Sequence, residues 1–147
     1  MSNENFKKIE RHLKNYRNYK IGIQNMNKQL DHMFPKITSS YEMAEGSTGT
    51  FSCHSNTEEY AIKRLEKKVE MEEFIHTYEV VIDSIDSAIK QLDPLEKEFV
   101  EKRYIENGNM KMVAISLGYS LRATYKIKED VKNKFLITLN NLTLIDV

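Results

Sequence analysis

Arg122, Tyr125, Lys126, Glu129 and Asn133 are separated by steps of three, one, three and four residues. On a helix turning about 100° per residue, those steps put all five side chains on one face. Arg and Lys can donate to guanine O6 and N7, Glu can accept from cytosine N4, and Tyr can reach a phosphate or pack on a thymine methyl. Lys128, Lys132 and Lys134 flank the face and suit the phosphate backbone. Ser120 and Leu121 begin the same helix. The residues expected at duplex DNA are therefore Ser120, Leu121, Arg122, Tyr125, Lys126, Lys128, Glu129 and Lys132. The competing reading is a solvated basic face on an ordinary core helix.

Other chemistries find little support. Glu70, Glu72 and Glu73 offer paired carboxylates, but a run of acids along one helix reads as solvated surface. Cys53 and His54 are adjacent, which is poor geometry for a shared metal, and His12, His32 and His76 are scattered without zinc-like spacing. No enzyme activity, metal or cofactor is expected. A lone cysteine cannot close an internal disulfide, so a reducing cytoplasm is the default. No apolar run approaches the roughly 18 residues of a membrane helix and no signal-peptide pattern opens the chain, so no membrane partner is expected.

The formal net charge is zero over 147 residues, yet the charges are segregated. Residues 1–34 carry seven Lys/Arg against three acids, residues 57–92 five against nine, and residues 107–134 six against two. A polyanion responds to the local field, so a neutral total does not exclude one.

The elements that must position the basic face are helical throughout. Phe6, Ile9, Leu13 and Tyr16, then Tyr19, Ile23, Met26, Leu30 and Met33, recur by threes and fours, with a phase slip between Tyr16 and Tyr19. This predicts an amphipathic helix that packs on its own chain or pairs as a coiled coil, weakened near Lys20 and Gly22 and stopped by Pro35. Residues 35–56, rich in Ser, Thr and Gly, read as a linker or mobile loop. A second long helix is expected from Asn56 or Thr57 to Leu92. Its acidic surface complements the basic first helix, which suggests a hairpin or an intersubunit bundle.

Asp93, Pro94 and Glu96 then form the start signal of a further helix, with Leu95, Phe99 and Val100 on its buried side. Asn107-Gly108-Asn109 is a turn. Val113 and Leu117 supply the inner face of the next helix, Ala114 permits close approach, and Gly118 suits the positive φ of a helix end. Tyr119 is expected to tuck inward and Ser120 to cap the last helix, whose inner stripe is Thr124, Ile127, Val131 and Phe135. Thr124 is the weakest fit, because a larger aliphatic residue is more usual there. Together these signals describe an all-α protein. Residues 1–91 form a long helical hairpin or coiled-coil arm, and residues 92–147 form a helix-turn-helix DNA-binding domain.

From Leu92 to Phe135, the Leu-x-Pro start, the Glu-rich helix ending in Arg103-Tyr104 and the Ala114…Gly118-x-Ser120 turn resemble region four of bacterial sigma factors. The whole chain resembles the phage and prophage late-gene transcriptional regulators of the RinA/ArpU type, which pair an N-terminal helix like LKNYRNYKIGIQNMNKQL with a Ser/Gly-rich loop and a sigma-like C-terminal domain. That resemblance implies activation of phage late operons through double-stranded promoter DNA inside a bacterial host cell, with host RNA polymerase as a further partner. A homodimer would present two recognition helices to half-sites about one helical turn apart, or a multiple of that. The chain has no segment recognisable as promoter-melting, which favours an activator over a free-standing sigma factor. The alternatives are a DNA-packaging protein resembling a phage small terminase subunit, and a helical protein that contacts RNA polymerase without touching DNA.

Overall fold

The computed structural model describes residues 2–34 and 55–146, and they are helical apart from the connecting turns, with no strand among them. The helices are α1 (Ser2–Lys14), α2 (Tyr16–Met33), α3 (Ser55–Lys90), α4 (Pro94–Val100), α5 (Met110–Leu117) and α6 (Leu121–Thr138). A π-helical turn, Glu101–Ile105, extends α4, and a 3-10 turn, Asn140–Leu144, follows α6. Most of the expected 35–56 loop, with Pro35, Cys53 and His54, lies outside the described residues, while Ser55 and Asn56 already belong to α3.

The chain divides into two compact units, Met1–Ile21 with Tyr78–Val147, and Gly22–Thr77. The first unit is built from both ends of the sequence, so its limits do not coincide with a boundary at residue 92. Its core joins Phe6, Ile9 and Leu13 of α1 to Val81, Ile85 and Ala88 of α3, Phe99 and Val100 of α4, and Val131 and Phe135 of α6. α1 packs on the 3-10 turn, on α6 and on the π-helical turn. Sequence reading expected one continuous first helix; the structure interrupts it at Asn15, just before the phase slip. There the Asn15 amide donates to the carbonyls of Arg11 and His12 at 3.1 and 3.2 Å, and the Asn15 carbonyl accepts from Tyr19 at 2.9 Å. Tyr16 then donates to Asp86 at 2.5 Å, and the Tyr19 ring meets Tyr78 at 5.0 Å.

α4 starts as its residues dictate. Asp93 is extended (φ −66°, ψ 156°), Pro94 takes the first helical position, and the Asp93 amide donates to Glu96 at 3.1 Å. The π-helical turn closes with the Glu106 amide on the Glu101 carbonyl at 2.8 Å. It carries Tyr104 into the core, edge-on to Phe99 at 6.1 Å.

The second unit holds the later part of α2 and the earlier part of α3. Arg64 donates to the Met33 carbonyl and stacks over the Phe34 and Tyr60 rings at 4.9 and 5.8 Å, and the Lys68 ammonium lies 5.2 Å from Phe34. Ile75 is buried here, whereas Ile62, Leu65 and Val69 are exposed.

Candidate nucleic-acid interface

The basic face rests on a turn whose geometry is set residue by residue. Asn107 takes a positive φ of 57°, and a side chain at Gly108 would meet the Lys102 carbonyl at 2.9 Å, so only glycine lets the backbone pass. Asn109 caps α5, its side-chain carbonyl accepting from the Met112 amide at 2.9 Å. α5 ends at Gly118 with φ 77° and ψ 25°, the left-handed conformation that glycine adopts without steric penalty. The Gly118 and Tyr119 amides donate back to Ile115 and Ala114 at 3.2 and 3.1 Å. Ser120 then caps α6 by accepting from the Ala123 amide at 3.1 Å.

Beneath the turn, Val113 and Ala114 are buried, as are Thr124, Val131 and Phe135, while Leu117 and Ile127 are half-buried. Thr124 fits better than its type suggests. Its hydroxyl donates to the Ser120 carbonyl at 2.9 Å, so no polar group is stranded by complete burial. Tyr119 departs from expectation: it is 47% exposed rather than tucked inward. Its backbone is spent in closing the end of α5, and its side chain is left beside Ser120 on the outside. Hydrophobic periodicity carries no signal for it, because it lies in the turn.

Arg122, Tyr125, Lys126, Glu129 and Asn133 are all exposed, as are Ser120 and Leu121 at the helix start. Among the described residues, neither Arg122, Lys126, Glu129 nor Asn133 has a side-chain hydrogen bond or ion pair. The three flanking lysines behave differently. Lys128 lies 4.0 Å from Glu10, its ammonium also 6.0 Å from the Tyr125 ring. Lys132 donates to Asn3 at 2.7 Å and sits 5.8 Å over the Phe6 ring. Lys134 donates to Glu96 at 2.6 Å and lies 3.9 Å from Asp93. α6 therefore has two basic regions, one open to solvent and one engaged with α1 and the start of α4.

Burial would raise the Glu96 pKa, but the Lys134 ammonium and the Asp93 amide outweigh it and hold the carboxyl below its ordinary value. The same pairing raises Lys134. Glu10, which sequence reading did not single out, is the centre of the other contact. It accepts from Tyr104 at 2.7 Å while facing Lys128, and burial together with that carboxylate pushes the Tyr104 phenol upward. No three His, Cys, Asp or Glu side chains converge as a metal site among the described residues. No described helix is long and apolar enough to cross a membrane. Comparison with protein-family models, curated proteins and solved structures finds no match to this chain.

Proposed function

We propose that this chain is a sequence-specific transcription regulator that lays α6 in the major groove of double-stranded promoter DNA. On this reading α5 and α6 are a helix-turn-helix, α1 and the end of α3 complete the core beneath it, and the helical segments between residues 22 and 77 serve as its arm. The observation that carries it is the open face of Arg122, Tyr125, Lys126 and Glu129 on a helix whose opposite side, at Thr124, Val131 and Phe135, is fully buried. A recognition helix needs that combination, because base-edge contacts depend on side chains held in a fixed register. Arg122 and Lys126, unpaired and near the start of α6, are the donors assigned to guanine and to phosphate. Glu129 is the acceptor assigned to cytosine. Lys128, Lys132 and Lys134 are secondary, since reaching phosphate would cost each its contact within the chain. Assignment to phage late operons rests on the resemblance to the RinA/ArpU-type regulators.

A duplex selected from random sequence, titrated against a scrambled one, tests the reading. Arg122→Ala should weaken specific binding by about 1–3 kcal/mol and relax preference at one base pair. Lys126→Ala, in the phosphate role, should weaken both duplexes alike and reduce the slope of log affinity against log salt by about 1. If Arg122→Ala leaves the preference between the duplexes unchanged, α6 is not the reading helix.

A further inference from the structure

Ile62, Leu65 and Val69 follow one another by three and four residues, the spacing of a single helix face. All three stay more than half exposed, at 55%, 53% and 54%. With Glu66 they line a shallow depression on α3. α3 meets its own chain within this unit through a different side, that of Arg64, Lys68 and Ile75. Helical geometry separates the two faces by roughly 120°.

The border of the stripe is acidic. Glu58, Glu66, Glu72 and Glu73 are exposed and lie within roughly 70° of its centre. Between residues 57 and 77, no Lys or Arg falls in that sector. A second copy of the chain is a poor occupant. In a parallel pair Glu72 would face its own counterpart, and in an antiparallel pair Glu66 and Glu73 would oppose one another across the seam. Like charges set against each other in this way cost affinity.

We propose that this face docks a basic amphipathic helix of another protein. The partner's apolar residues, at i, i+3 and i+7 or the equivalent, cover Ile62, Leu65 and Val69, and its flanking Lys or Arg meet Glu58, Glu66 and Glu73, since Glu72 already lies 3.9 Å from Lys68. A short apolar seam ringed by complementary charge suits a reversible contact with strong salt dependence. The stripe and the DNA-reading face of α6 share no residue, so either assignment can fail without the other.

The full chain is titrated with a labelled synthetic helical peptide carrying leucines at i, i+3 and i+7 flanked by lysines. A twin peptide has glutamates in place of the lysines. The lysine peptide should bind, more weakly as salt rises, and the glutamate twin should not. Leu65→Ser should weaken binding roughly tenfold or more with helix content retained. Glu66→Lys combined with Glu73→Lys should shift preference toward the glutamate twin while leaving the apolar stripe intact. The proposal is overturned if the lysine peptide does not bind, if both peptides bind equally, or if binding survives both sets of substitutions. Self-association of the unmodified chain that Leu65→Ser abolishes would equally overturn it, by putting a second copy on this face.

Discussion

His12 has no exposed surface, and both of its ring nitrogens are in use. Nδ1 lies 2.7 Å from the Tyr19 hydroxyl and Nε2 lies 3.0 Å from the Ile145 carbonyl. A carbonyl only accepts, so in the neutral ring Nε2 carries the proton and Nδ1 accepts from Tyr19. Burial lowers the imidazole pKa from its ordinary 6.5, against the Ile145 carbonyl, which works to raise it. The folded chain thus binds the proton more weakly than the unfolded chain, and stability falls as pH drops below about 6.5. Denaturant melts at about pH 7.5 and about pH 5 should show a lower midpoint on the acid side, and His12→Gln should narrow the gap. A gap of the same size in the variant would remove His12 as its source. None of this is legible from residue types, since the partner carbonyl stands 133 positions away. Thr124 makes a complementary point: the hydroxyl that counted against it is satisfied one helical turn back.

At the scale of elements, α3 shows what periodicity can and cannot tell. Apolar residues at helical spacing occur towards both of its ends, Ile62, Leu65 and Val69 early and Val81, Ile85 and Ala88 late, yet the structure treats the two groups differently. Ile85 is completely buried, whereas Leu65 is 53% exposed. Ile85→Ala should cost about 2–5 kcal/mol, through lost burial and the cavity it leaves. Leu65→Ala should change stability by no more than about 0.5 kcal/mol, as expected of an exposed site. Equal losses in denaturant unfolding would mean that the stripe is covered in solution. The start of α4, the cap at Ser120 and the positive φ at Gly118 were all readable, because each is decided within four residues of chain. The interruption at Asn15 was readable only as a slip in phase.

For the whole molecule, the main consequence is that α1 completes the core on which α6 rests. Phe6, Ile9 and Leu13 are fully or almost fully buried, in the same compact unit as residues 78–147. A fragment of residues 92–147 would leave the surfaces beneath α1 and the end of α3 uncovered, so its heat unfolding should be broad, without the cooperative transition of the full chain. A sharp transition in the fragment would show that the C-terminal helices fold alone. The location of the helices, how they are capped and which residues share the outer face of α6 follow from the order of residues, because hydrogen bonding and side-chain periodicity act over three or four positions. Which lysines of α6 stay open, and which apolar stripe finds a neighbour, depends on contacts such as Lys132 with Asn3 and Tyr104 with Glu10. Those pairs are 129 and 94 positions apart. Before such segments meet, a basic or apolar stripe has the same pattern whether it will be covered or left open. Folding of the distant segments onto one another makes that choice.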